Sequence, residues 1–189
     1  MKQLKRSVLM LLVFTVLCGL VYPLVITGIG AAAFPVQSGG SLIVENGSLK
    51  GSALIGQSFS GPGYFHGRPS AVNYDPSLSG ASNLGPTNKQ LIDAVKERSA
   101  AARKDNDLAE KVPVPDDLLF ASGSGLDPHI SVESAKLQAG RIAAARKIEV
   151  SAVTVLIDKN IERQLPFYGK SFVNVLKLNI TLDAAAVKK

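Results

Sequence analysis

The chain has 189 residues, a net charge of +6 and one cysteine, Cys18. Three basic residues precede Ser7, so the rest carries 18 lysines and arginines against 15 acidic residues, an excess of +3. So small an excess, without aromatic residues among the basic ones, argues against a nucleic-acid-binding protein. A single cysteine excludes an internal disulfide bond.

The first segment predicts a membrane anchor. Residues 7–44 contain no Asp, Glu, Lys, Arg or His, and residues 8–29 form a continuous apolar run. At about 1.5 Å per residue this run measures roughly 33 Å, enough to cross a hydrocarbon core of about 30 Å. We therefore predict four segments: an N-terminus at 1–7, a transmembrane helix at 8–29, a linker at 30–40 and a folded domain at 41–189.

The basic residues predict the orientation of this anchor. Lys2, Lys5 and Arg6 precede the apolar run, and the next basic residue is Lys50. The positive-inside rule therefore places the N-terminus in the cytoplasm and the domain on the extracytoplasmic side. The alternative is a signal peptide cleaved near Ala31–Ala33, although the apolar part of a signal peptide usually has only about 7–15 residues.

Four anchor residues indicate a packing surface for another helix. Thr15 and Gly19 are small and four residues apart, a spacing that allows close approach. Tyr22 and Pro23 follow, and the backbone donor that proline lacks can be compensated by a neighbouring helix. The alternative is a helix that packs against nothing, with Tyr22 at the membrane interface.

The domain is predicted to be α+β. Asn46-Gly47 predicts an N-terminal β-hairpin between 41–45 and 48–55, because both turn residues must adopt positive φ. Apolar periodicity and N-caps predict three helices, and period-two alternation predicts a final strand. The helices are expected at about 89–103 (cap Thr87 or Asn88), 132–147 (cap Ser131) and 152–161 (cap Ser151), with a short extended segment at 118–120 and the strand at 172–182.

Residues 56–88 predict a long ordered loop. Glycine, proline, serine and asparagine dominate it, and neither helical nor strand periodicity is present. Its aromatic and turn-forming residues favour a self-packed loop over a linker, and ordered loops often carry binding surfaces. Gln138, Arg141 and Arg146 share one face of the second predicted helix, which is either solvated or an anion or partner contact.

No motif predicts catalysis. Gly169-Lys170-Ser171 resembles the end of a phosphate-binding loop, but Gln164 occupies the position of its first glycine. Ser124, Asp127 and His129 supply the residue types of a hydrolase triad, yet lie too close in sequence for its usual geometry. We predict that 127–129 is a turn whose side chains accept backbone N–H groups. Two histidines without a carboxylate or cysteine cluster predict no metal site.

Nearly the whole chain resembles one known family. The matching stretches are 19–24, 51–57, 61–70, 82–86, 121–131, 138–146 and 173–179. They are similar to the C subunit of Kdp-type potassium-transporting ATPases. Ala81 is a departure, because a second glycine is common there in the family.

The resemblance implies a non-catalytic, single-span subunit in the inner membrane of a bacterium, with no cofactor of its own. Its implied partners are a potassium-translocating subunit, a P-type catalytic subunit that hydrolyses ATP, and a small membrane subunit. The transported ion would be potassium. The family is described as a catalytic chaperone that raises the ATP affinity of the catalytic subunit, which makes Gln138, in its matched motif, a candidate ATP contact.

We expect the domain to dock on the outer face of the potassium-translocating subunit through residues 56–88 and 121–131. Arg68, Asn83, Asp127 and His129 are the candidate docking residues. Two alternatives remain from the sequence: an anchored extracytoplasmic hydrolase that uses Ser124 or His129, and a stand-alone binding module.

Overall fold

The computed structural model describes residues 1–162 and 169–186. Its contacts divide the chain into two compact units, residues 1–52 and 53–189. The hairpin that was predicted to open the domain therefore clusters with the anchor helix. The domain boundary at residue 41 stays a prediction.

The first unit begins with a continuous helix, α1 (Lys2–Ala33), which contains a π-helical turn at Leu17–Val21. It is long and apolar enough to cross a membrane, and none of its residues is buried. In the π turn the Tyr22 N–H donates to the Leu17 carbonyl, five residues back. Pro23 follows immediately, so the irregular turn lies where a backbone donor is missing.

A short helix, α2 (Pro35–Ser38), and a hairpin of β1 (Leu42–Glu45) and β2 (Ser48–Ser52) complete this unit. The strands are antiparallel, with a register shift between Ile43 and Val44. Asn46 and Gly47 have φ values of 51° and 72°. The Asn-Gly turn predicted from the sequence is therefore confirmed, although β2 ends at Ser52 rather than at 55.

The second unit contains five helices and three short strands among its described residues. In chain order these are α3 (Lys89–Asp105), α4 (Asp116–Leu119), β3 (His129–Ser131), α5 (Val132–Arg146), α6 (Val150–Lys159), β4 (Ile161–Glu162), β5 (Phe172–Asn174) and α7 (Val175–Ala186). The strands form an antiparallel sheet in the order β3-β5-β4.

The three predicted helices are confirmed as α3, α5 and α6, with one cap corrected. The Asn88 side chain accepts the Gln90 N–H, and Ser131 accepts the Ser134 N–H. The prediction of Ser151 as a cap is wrong, because α6 already begins at Val150 with Glu149 at its N-cap. Lys147 ends α5 in a left-handed conformation, which turns the chain at once towards α6.

The predicted strand at 172–182 is wrong beyond Asn174, where α7 begins. The Asn174 Oδ1 atom accepts the Lys177 N–H, 3.1 Å away, as a helix cap does. Val175, Leu178 and Leu182 are buried at helical spacing. Leucine and isoleucine at alternate positions from 176 to 182 fit a strand equally well, so the sequence pattern was ambiguous.

The extended segment predicted at 118–120 is also wrong, because helix α4 covers most of it. Asp116 and Asp117 lie in the first turn of α4. Negative side chains there face the positive end of the helix dipole, which favours a helical turn.

Helix α5 packs with α6, α7 and the sheet around one hydrophobic core. Small residues on α5 allow close packing, and Phe65 from the long loop is fully buried in the same core. Twelve buried side chains form it: Phe65, Ile130, Ala135, Ala139, Ile142, Ala143, Val153, Ile157, Val173, Val175, Leu178 and Leu182. The loop thus contributes Phe65 to the core, and Phe59 packs against it.

Candidate functional site

Two buried amide side chains hold the centre of the long loop. The Gln138 Oε1 atom accepts the His66 N–H at 2.8 Å, and its Nε2 atom donates to the His66 carbonyl at 3.2 Å. Asn179 binds Phe65 in the same way. Its Oδ1 atom accepts the Phe65 N–H at 2.8 Å, and its Nδ2 atom donates to the Phe65 carbonyl at 3.0 Å. Each amide satisfies both backbone groups of one loop residue, so Phe65 and His66 are fixed between α5 and α7.

Two arginines of α5 bind the adjacent carbonyls. Arg141 Nη1 donates to the Pro62 and Tyr64 carbonyls at 2.6 and 3.1 Å. Arg146 Nε donates to the Gly63 carbonyl at 2.6 Å, and its guanidinium lies 4.7 Å from the centre of the Tyr64 ring. All five carbonyls from 62 to 66 thus accept side-chain donors.

The interpretation of the polar α5 face as solvated is therefore wrong, because the face is bound to the chain's own loop. Its contact with an anion or a partner stays a prediction. Burial lowers the pKa of Arg141, against the opposing effect of the Asp105 charge. The guanidinium donates to two backbone carbonyls and to the side-chain oxygens of Asn106 and Gln138.

The Arg68 cluster (Arg68, Asp127 and His129) forms where the loop meets the turn before β3. Arg68 Nη1 lies 3.1 Å from Asp127 Oδ2, and the His129 N–H donates to Asp127 Oδ1 at 3.0 Å. The predicted acceptance of a backbone N–H by a side chain at 127–129 is therefore confirmed, although His129 already begins β3. His129 Nδ1 is 3.4 Å from the same oxygen, and the His129 ring packs edgewise on Phe172.

The charge of Asp127 is stabilised by this arrangement. Burial alone would raise the pKa of Asp127, but the hydrogen bonds from His129 and the charge of Arg68 outweigh it. The pKa therefore lies below its ordinary value, and Asp127 remains a carboxylate at neutral pH.

Tyr74 and Gly56 support the backbone of the cluster, and no sequence motif indicated this role. The Tyr74 hydroxyl donates to the Arg68 carbonyl. Burial, followed by the charge of Asp127, raises the pKa of Tyr74 to about 12, so the donor stays protonated. A Cβ atom on Gly56 would lie 2.5 Å from the Asp127 carbonyl oxygen, so only glycine fits there.

The Arg68 cluster borders an open cleft of about 630 Å³ in the second unit. Asp117, on the cleft wall, already accepts the Ser131 N–H at 2.6 Å and the Ser131 hydroxyl at 3.2 Å. Arg68 Nε is buried and has no hydrogen-bond partner among the described residues. Lys170 adds a second cation to the wall, so the cleft offers polar groups suited to a charged protein surface.

Several predicted site residues take no part in the Arg68 cluster. Asn83 is exposed, with φ of 53°, and takes no part in the hydrogen bonds or ion pairs described for the Arg68 cluster. Thr15, Gly19, Tyr22 and Pro23 are exposed on α1.

Gln138 is 1% exposed, and its two amide atoms are already bonded to the protein. The cavity beside it measures about 170 Å³, below the roughly 300–1,000 Å³ of typical ligand pockets. Whether Gln138 contacts ATP in an assembled complex stays a prediction.

The residue types of the hydrolase alternative are not arranged as a triad. The Ser124 hydroxyl accepts the Leu126 N–H at 3.1 Å, and the Ser124 carbonyl accepts the Gly80 N–H. Within 1–162 and 169–186, no hydrogen bond joins Ser124 to His129. The same ranges hold no group of three His, Cys, Asp or Glu side chains placed to bind a metal.

The described residues thus combine one helix long and apolar enough to cross a membrane with a domain whose polar residues mainly organise its own loops, which is the arrangement of a membrane-anchored domain. The family described as "K+-transporting ATPase, c chain" (KdpC) matches residues 4–184. The chain therefore belongs to the KdpC family, which confirms the resemblance seen in its sequence.

Individual relatives agree with this assignment over almost their full length. The potassium-transporting ATPase KdpC subunit of Geobacter sulfurreducens is 51% identical over 188 residues, 97% of this chain and 98% of the relative. The subunit of that name from Mycobacterium tuberculosis strain H37Rv is 50% identical over 185 residues, 96% and 98% of the two chains. The KdpC subunit of Nitratidesulfovibrio vulgaris is 46% identical over 183 residues, which cover 95% of this chain and 92% of the relative.

Proposed function

We propose that the chain is a non-catalytic accessory subunit of an ATP-driven potassium import complex. The observation that carries the proposal is the family match over residues 4–184, with relatives named as subunits of a potassium-transporting ATPase. Its partners are a potassium-translocating subunit, a P-type catalytic subunit and a small membrane subunit. Helix α1 anchors it in the bacterial inner membrane, with the N-terminus in the cytoplasm and the second unit outside.

The Arg68 cluster is the proposed docking site for the outer face of the potassium-translocating subunit, with Asn83 as a further contact. The cluster lies on an open polar cleft, and its backbone is fixed by Tyr74 and by the hydrogen bond within 127–129. A prearranged charged surface reduces the entropy lost on binding and favours one orientation of the partner.

The docking proposal is tested by co-purification of the four chains in mild detergent. We expect Arg68→Ala to reduce recovery of the partner subunits by about tenfold or more, since truncating one member of a buried interfacial charge pair costs about 2–5 kcal/mol and each 1.4 kcal/mol is a factor of about ten in affinity. Lys96→Ala, which removes an exposed lysine on α3, is the matched control. An Arg68→Ala variant that unfolds like the wild type and assembles normally would refute the docking site.

The proposed effect on ATP affinity is a coupling between distant sites. Gln138 supports an indirect effect rather than direct contact, because both atoms of its amide are already bonded to the backbone of His66. A coupling free energy of about 1–3 kcal/mol between sites is enough to raise an affinity 5–150-fold without contact. Photoreactive ATP added to the functional complex should label the catalytic subunit and not this chain; labelling of a peptide that contains Gln138 would establish direct contact instead.

A further inference from the structure

The hairpin of the first unit exposes its apolar face. Leu42, Val44 and Leu49 are 55%, 61% and 60% exposed. Val44 lies directly opposite Leu49, and Leu42 lies two residues from Val44, so the three side chains share one face. We call Leu42, Val44 and Leu49 the hairpin face.

The charged residues of the hairpin lie on its other side. Glu45 follows Val44 and therefore points to the opposite face. Lys50, at the register shift, places its ammonium 3.9 Å from the Glu45 carboxylate. The three exposed apolar side chains and the charged pair thus lie on opposite faces of the hairpin, and Ile43 is half-buried on the charged side. A two-stranded hairpin is marginally stable in water, so a covering surface is required.

Helix α1, which is expected to cross the bilayer, lies close to the hairpin in sequence, so the bilayer is an apolar surface within its reach. The hairpin belongs to the same compact unit as α1. Helix α2 joins them: the Ser41 N–H donates to the Val36 carbonyl at 2.9 Å, and the Ser52 hydroxyl donates to the Gly40 carbonyl at 2.7 Å. Eight residues separate Ala33 from Leu42, and Phe34 and Val36 among them are exposed as well.

We propose that the hairpin face is a lipid-binding surface that inserts into the interfacial region of the bilayer crossed by α1. The uncharged sequence from 7 to 44 includes most of α1 and most of β1, so apolar residues continue from the helix into the hairpin. The three side chains of the face offer no hydrogen-bonding group to a protein partner. The attraction is hydrophobic, so neutral lipid suffices. This inference rests on the membrane-spanning part of the proposed function.

Single tryptophans test the proposal, because the chain contains none. Val44→Trp and Leu49→Trp report the hairpin face, and Ser48→Trp, opposite Glu45, is the matched control on the other face. Leu20→Trp reports the anchor. Each full-length variant is inserted into phosphatidylcholine vesicles with or without bromine on the acyl chains, and quenching of tryptophan fluorescence is measured.

Burial of the hairpin face about 5–10 Å into the interface should make quenching at positions 44 and 49 about twofold or more stronger than at 48. Equal quenching at 44, 48 and 49, with Leu20→Trp strongly quenched, would overturn the lipid contact while leaving the anchor intact. Absence of quenching at position 20 would instead refute the membrane-spanning helix and the proposal with it. Protection of 44 and 49 only in the assembled complex, without lipid quenching, would assign the face to a protein partner and also overturn it.

Discussion

Asp127 combines three interactions in a single carboxylate. It accepts the His129 N–H, lies within 3.4 Å of the His129 ring nitrogen and pairs with Arg68. Its acceptance of a backbone N–H was predictable, because Asp-Pro-His before a helix cap is turn chemistry. Its pairing with Arg68 was not predictable from local sequence, because the two are 59 positions apart and no periodic pattern links them.

We expect Asp127→Asn to lower the free energy of unfolding at pH 7 by about 1–3 kcal/mol, because a partly buried charged hydrogen-bond network loses its anion. Because folding lowers the pKa of Asp127, its stabilisation is present above the unfolded-state value of 3.8 and is lost as the pH falls through the folded-state pKa. Urea unfolding should therefore show a smaller loss of stability at acidic pH for the variant than for the wild type.

Asp158→Asn is the control for this experiment. Asp158 pairs with Lys136 at 3.1 Å, but both side chains are about half exposed, and such pairs contribute only about 0–1 kcal/mol. If Asp158→Asn and Asp127→Asn lowered the free energy of unfolding equally at every pH, the stabilising role assigned to the Asp127 carboxylate would be excluded.

Gly125 is a position where the backbone itself dictates the residue. Its φ is 69°, and a Cβ atom would lie 2.6 Å from Val72 Cγ2 and 2.7 Å from the Gly80 carbonyl oxygen. We expect Gly125→Ala to destabilise the domain by about 2 kcal/mol or more, because strain and overlap add. Gly123→Ala, with no heavy atom within 4 Å of the new methyl group, should change the thermal midpoint little. Equal midpoints for both variants would contradict this reasoning.

At the scale of elements, periodicity and caps were sufficient to predict α3, α5, α6 and the Asn-Gly hairpin. They failed at α7, where apolar residues at alternate positions also satisfy a helix once Asn174 caps it. The contact between α5 and the loop was hidden for another reason. The side chains that make this contact, on Gln138, Arg141 and Arg146, bind backbone carbonyls. Every residue type has a backbone carbonyl, so the sequence of the loop does not show which residues are bound.

We expect Arg146→Ala to loosen residues 61–66 and to accelerate amide hydrogen exchange there, while exchange in α6 stays close to wild type. The arginine joins the Gly63 carbonyl, the Tyr64 ring and Asp183, so its loss leaves a carbonyl without its donor and removes an aromatic contact. Lys136→Ala on the same helix, which removes only an exposed ion pair, is the control. Unchanged exchange at 61–66 would show that Gln138, Asn179 and Arg141 hold the loop without Arg146.

At the scale of the whole molecule, the anchor and its flanking charges were the features most directly readable from the sequence, because bilayer thickness imposes a length that no other segment meets. The placement of the second unit outside the cytoplasm is an inference from three basic residues. It matters because the Arg68 cluster and any ATP site then lie on opposite sides of the membrane, and only coupling through the complex can connect them.

Single cysteines in a Cys18→Ser background test this orientation in the assembled complex. A membrane-impermeant maleimide added to intact spheroplasts should label Glu110→Cys, which is exposed in the second unit, and spare Gln3→Cys until the cells are lysed. Lys2, Lys5 and Arg6 disfavour translocation of the N-terminus, so replacing all three with glutamine should yield a mixed labelling pattern. The opposite pattern in the unmodified anchor would bring the Arg68 cleft to the cytoplasm. Docking on the outer face would then be impossible, and direct contact between this chain and ATP would become the simpler explanation.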